Sequence, residues 1–125
     1  MRLPTRSVLL GCILACAGCS GGSTTHWIEQ LKSPEPKTRL QAVRALQRKE
    51  DAAQIVPALI EALKDDFTDV RRTAAGTLGS FGAEAASAVP ALTAALRDRE
   101  PSVRKTAGQA LKAINPEAAR KAGVK

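Results

Sequence analysis

The chain repeats itself. Val56-Pro57-Ala58-Leu59 returns as Val89-Pro90-Ala91-Leu92, an offset of 33 residues. The same offset carries Leu63 to Leu96, Asp65 to Asp98 and Val70-Arg71 to Val103-Arg104. It also carries Thr73-Ala74 to Thr106-Ala107 and Leu78 to Leu111, and it sets Ile114 at the place of Phe81. Eleven identities at one offset are far beyond chance. A looser copy lies 32 residues upstream, where Leu31, Arg39, Ala42 and Leu46 correspond to Leu63, Arg71, Ala74 and Leu78. That copy lacks the Val-Pro opening and has Ser33 in place of the Asp, as a terminal repeat with altered edges would. A period of this size marks a chain of stacked units, each burying its apolar face against its neighbours; about three copies are the minimum for stability.

Each copy divides into two helical stripes. Val56, Leu59, Ile60 and Leu63 share one face of a first helix; Val70, Ala74, Leu78 and Phe81 share one face of a second. The third copy repeats the arrangement with Val89, Leu92 and Leu96, then Val103, Ala107, Leu111 and Ile114. Tyr is absent, Phe occurs twice and Trp once, and the chain is rich in Ala, which favours closely packed helices over a β-sandwich or barrel. Thr68 or Asp69 is expected to cap one second helix, and Pro101-Ser102 to form the turn and cap of the next. Asn115-Pro116 suits the start of a short closing helix over Glu117 to Ala122. Trp27 and Ile28 are placed to cover the open N-terminal end.

These residues resemble the HEAT family of helical repeats, in its short bacterial form. The marks are a Pro early in the first helix, an Asp at the inter-helix turn and a Val-Arg pair opening the second helix. Pro57, Asp65 and Val70-Arg71 carry them, as do Pro90, Asp98 and Val103-Arg104. The resemblance covers roughly Trp27 to Asn115 and implies an all-α fold: a short right-handed α-solenoid of about three hairpins, over about 27–50, 54–82 and 87–115, with a C-terminal cap over 116–125. It also implies a structural ladder between neighbouring repeats built from Asp65, Arg71, Asp98 and Arg104. The pair expected is Asp65 with Arg104, leaving Asp98 without a downstream repeat. Arg72 and Lys105, beside the ladder arginines, form a possible binding surface on a basic strip.

The N-terminal part has another character. Arg2 and Arg6 precede an uncharged run from Ser7 to Gly18, and small polar residues follow. A basic start, a short apolar run and small residues at its end describe a secretory signal, and the run is too short for a membrane span. Cys12, Cys16 and Cys19 are all here and none lies elsewhere, which does not suit a disulfide framework. Ala17-Gly18-Cys19 is similar to the end of a bacterial lipoprotein signal. That resemblance implies lipidation of Cys19, with Cys16 as the alternative. Residues 1–18 then read as signal peptide, 19–25 as a flexible Gly/Ser/Thr tether and 26–125 as the repeat domain. The implied localisation is the bacterial cell envelope, lipid-anchored to a membrane, the outer one or the periplasmic face in a host that has two.

Without Arg2 and Arg6 the chain carries 17 basic and 12 acidic side chains. From Arg97 onward bases outnumber acids eight to three, whereas between Glu61 and Leu96 acids outnumber bases five to three. The basic C-terminal end suits an acidic partner, anionic lipid or an anionic envelope polymer; a solvated rim is the plainer reading. Scarce aromatics argue against nucleic acid. His26 stands alone beside the tether, and the repeat domain has no Cys, so no metal site, cofactor or catalytic constellation is expected. Gly76, Gly79 and Gly82 follow a helix rather than a strand, which suits helix packing better than phosphate binding. The expected function is therefore a non-enzymatic, membrane-anchored scaffold that binds another envelope protein. The alternative is a structural component holding anionic lipid or peptidoglycan through the basic end. A third reading, an accessory subunit related to bilin lyase-type HEAT proteins, rests on fold analogy alone.

Overall fold

A computed structural model describes residues 22–125. The signal region, with Cys12, Cys16 and Cys19, lies outside the described residues. Among the described residues seven α-helices follow in order: α1 (Thr24–Gln30), α2 (Pro36–Leu46), α3 (Ala52–Ala62), α4 (Thr68–Ser80), α5 (Val89–Ala95), α6 (Pro101–Ile114) and α7 (Pro116–Lys121). A 3-10 helix over Gly82–Ala88 leads into α5, and no strand occurs among the described residues. The domain begins earlier than the expected tether allows. Thr24 and Thr25 are helical because Ser23 caps α1, its Oγ accepting the His26 N–H at 3.1 Å.

The helices form two layers. α2, α4 and α6 pack side by side in one; α1, α3 and the 3-10 segment follow one another in the second. This is a short α-solenoid of three hairpins. Leu46, Ile55, Leu59, Leu78, Leu92 and Leu111 are fully buried between the layers, and Trp27 and Ile28 pack half-buried against that core at its first end. The central helix α4 is flanked on both sides and buries Val70, Arg71, Ala74, Ala75, Thr77 and Leu78. Its approach to α6 is close: a Cβ added at Gly79 would lie 3.0 Å from the Ala110 Cα. Small residues bring the two backbones together at Gly79, whereas Gly76 has room for a side chain and Gly82 serves the left-handed turn after α4, at φ +56.

Several helix starts differ from expectation. Phe67 is the cap residue of α4 and Glu100 that of α6, and neither gives a side-chain cap bond. Thr68 and Pro101 are therefore the first helical residues, and Asp69 and Ser102 lie one position further in. Proline suits the first position because its missing N–H has no intrahelical partner to lose. The aspartate two residues before each cap closes the turn instead. Asp65 Oδ1 accepts the Phe67 N–H and Asp98 Oδ1 the Glu100 N–H, each at 2.9 Å. Pro57 sits well inside α3, whereas Pro90 opens α5, because the third repeat spends the preceding residues on its 3-10 turn.

The last end closes as a cap. Asn115 Oδ1 accepts the Ala118 N–H at 3.0 Å, and Pro116 is the first residue of α7. Gly123, at φ +82, then reverses the chain in a left-handed turn that favours glycine. The Val124 N–H reaches Ala119 O and the Gly123 N–H reaches Arg120 O, the paired bonds of a Schellman motif. Val124 is thereby folded back against Gly108 and the core.

Candidate functional site

The ladder has the opposite direction to the one expected. Asp65 does not meet Arg104. Arg39 Nε and Nη2 donate to Asp65 Oδ2 and Oδ1 at 2.7 and 2.9 Å, and Arg71 Nε and Nη2 donate to Asp98 Oδ2 and Oδ1 at 2.8 and 3.1 Å. Each arginine thus reaches forward to the turn of the following repeat. Nη1 of the same guanidinium serves its own turn: for Arg39 the carbonyls of Ser33 and Pro34, for Arg71 those of Asp65 and Asp66. One planar fork therefore closes one turn and pins the next, a task the point charge of lysine could not do.

Both carboxylates are held below their ordinary value. Burial opposes ionisation of Asp65, but the Arg39 fork, the Phe67 N–H and the nearby charge of Arg71 outweigh it. For Asp98, burial is likewise overcome by Arg71, the Glu100 N–H and Arg99. Ser33 is the informative variation. Its Oγ accepts the Glu35 N–H at 3.2 Å, keeping the turn bond without the charge, and no upstream arginine among the described residues needs one.

At the far end the ladder is open. Arg104 Nη1 donates to Asp98 O at 2.7 Å and Arg99 O at 3.1 Å, repeating the half of the pattern that serves its own turn. Its Nε and Nη2 meet no acceptor among the described residues. Arg104 and Lys105 line a groove of about 530 Å³ between α6 and the returning tail. Lys112 and Lys125 join them, no acidic side chain lines it, and Leu96, Gly108 and Val124 supply apolar surface.

The expected basic strip is divided. Arg71 is buried, and Arg72 donates to Asp69 Oδ1 at 2.9 Å within its own helix. Arg72 borders a separate shallow cleft with Thr73, Gly76, Thr77 and Thr106; the Thr77 hydroxyl there is buried with no hydrogen-bond partner. Lys105 alone of the two expected surface residues belongs to the end groove. Lys112, Lys125 and Val124 were not singled out by sequence, although Gly123 just past a short helical stretch signals a returning tail. A second cleft, about 420 Å³, lies between α1 and α3, lined by Ile28, Leu31, Pro57 and Ala58 with Glu61 and Asp65 at its rim. Among the described residues no cluster of His, Cys, Asp or Glu is arranged to hold a metal ion, and no helix is long and apolar enough to cross a membrane.

Stacked helical hairpins joined by forward-reaching arginines define an α-solenoid repeat protein. Residues 24–112 match the family of HEAT repeats, and the chain belongs to it. Repeats of this family generally mediate protein–protein interaction. No curated protein matches the chain.

Proposed function

We infer that the protein is a non-enzymatic interaction module of the bacterial cell envelope, tethered to a membrane by lipid on Cys19 and using its solenoid surface to hold an envelope protein. The observation that supports the interaction part of this reading is the basic groove at the end of the stack furthest from the tether, and Ala17-Gly18-Cys19 supports the anchor. Cys19 precedes the Ser23 cap by four residues, a chain span of at most about 14 Å. Its two or more acyl chains would hold the anchor stably, with α1 next to the bilayer. α6 lies two helix spacings from α2, roughly 16–20 Å further along the stack. The basic groove then lies at the end of the stack opposite the anchored one, where a partner can reach it. Peptidoglycan is the second reading, supported by four cationic side chains in a groove lined by no acidic side chain.

Metabolic labelling with an alkyne fatty acid tests the tether. Wild-type protein should label and Cys19→Ser should not; labelling that persists in Cys19→Ser and disappears in Cys16→Ser would move the anchor. Crosslinking in intact cells tests the module: a defined protein partner is expected, and crosslinks to peptidoglycan fragments alone would favour the second reading.

A further inference from the structure

We propose that the terminal groove docks an acidic peptide segment of the partner protein, with one Asp or Glu carboxylate seated on Nε and Nη2 of Arg104. The inference rests on the interaction-module reading and gives the partner its chemistry. The molecule itself supplies the template. Arg39 and Arg71 each commit Nη1 to two carbonyls of their own turn and present Nε and Nη2 to a carboxylate at 2.7–3.1 Å. Arg104 has made the first commitment and lacks the second partner. Its guanidinium is already oriented, so little side-chain freedom is lost when a carboxylate arrives.

The surroundings select what carries that carboxylate. Lys105, Lys112 and Lys125 have no ion-pair partner among the described residues, so further acidic side chains are welcome. The apolar surface of Leu96 and Val124 suits a side chain or backbone rather than a bare inorganic anion. A second copy of this chain is a poor occupant. Stacked end to end, it would present its first turn to Arg104, and that turn bears Ser33 where the internal repeats bear Asp65 and Asp98.

The test uses the full-length chain in detergent and a fluorescent peptide of alternating Leu and Asp. Binding is expected to weaken at least tenfold for Arg104→Lys, which retains charge but not the fork, and severalfold for Lys112→Gln. Lys37→Gln, at the other end of the stack, should bind as wild type. Helical circular dichroism of each variant guards against unfolding, and Lys112→Gln removes no intramolecular bond. An Asn-substituted peptide should not bind; inorganic phosphate at millimolar concentration and phosphatidylglycerol vesicles should compete poorly. Equal affinity of Arg104→Lys and wild type, or displacement by phosphate alone, would overturn the proposal. In cells, a photo-crosslinker at Gln109 should capture the partner, and Arg104→Lys should abolish that capture. Capture from Gln54 on the opposite cleft alone would overturn the groove and leave the module standing. Capture from neither position would overturn both.

Discussion

Arg71 and Asp98 are joined across 27 residues of sequence by two hydrogen bonds, of 2.8 and 3.1 Å, with side chains only 5% and 11% exposed. The pair fastens the second repeat to the third at the edge of the two layers. A buried ion pair of this kind contributes modestly as a whole, because desolvation offsets much of the attraction, yet stranding one partner is expensive.

Removing one member should therefore be far worse than removing both. Asp98→Ala is expected to cost about 3 kcal/mol or more, since it strands the Arg71 guanidinium and also opens the turn at Glu100. Arg71→Met with Asp98→Ala should lose less than the sum of the single changes. Urea denaturation of the four proteins in a double-mutant cycle measures the difference.

The same carboxylates set the acid response. Asp65 and Asp98 titrate below the ordinary 3.8 in the folded protein, so the folded state binds fewer protons than the unfolded chain. Their stabilisation is complete above that value and declines as pH falls through the depressed one. Melting temperature should hold from neutrality to about pH 4–5 and fall steeply below. Asp65→Asn and Asp98→Asn should melt lower at neutral pH with a shallower acid limb; an unchanged limb in both would show that other carboxylates control it.

Two glycines three residues apart should respond in opposite directions. At Gly76 an added Cβ meets Thr106 at an ordinary 3.5 Å, so Gly76→Ala should stabilise α4 by about 0.5–1 kcal/mol through helix propensity. At Gly79 it meets the Ala110 backbone at 3.0 Å, so Gly79→Ala should destabilise despite the same propensity gain. Thermal melts of the two variants check the signs.

Thr77 offers a stabilising change of a different kind. Its buried hydroxyl has no partner, and Thr77→Val replaces it with a methyl of similar shape. Relief of an unsatisfied buried polar group should contribute about 1 kcal/mol, read as a raised denaturation midpoint.

The cap can be tested at its first bond. Asn115→Ala removes the acceptor for the Ala118 N–H and should cost about 1 kcal/mol. Deleting residues 116–125 should cost more, because it also uncovers Gly108 and Leu96. An unchanged midpoint in the deletion would mean that α7 adds nothing to the stack.

The helical stack was legible in sequence because an offset of 33 states both the unit and its stripes, and Asn115-Pro116 announced the closing helix. The ladder's direction was not legible. Arg71 lies 27 residues before Asp98 and Arg104 lies 39 after Asp65, and repeated residues look alike from either side until the stacking geometry chooses. The cap positions are illegible for a related reason: Thr68, Asp69 and Ser102 have suitable side chains, but Asp65 and Asp98 close the turns two residues before the caps Phe67 and Glu100. The end groove was half visible, as a basic bias after Arg97. Its shape depends on Val124 folding back, a contact between α6 and a tail that periodicity does not encode.

The central hairpin meets a neighbour on both flanks and carries a forward-reaching arginine and a receiving aspartate. It is thus a self-compatible module: a duplicate of it spliced in beside the original would find every socket it needs and leave both termini unchanged. Length is accordingly the property that this architecture can vary most freely, by inserting whole periods at its middle, whereas extension beyond α7 would first have to dismantle the lid.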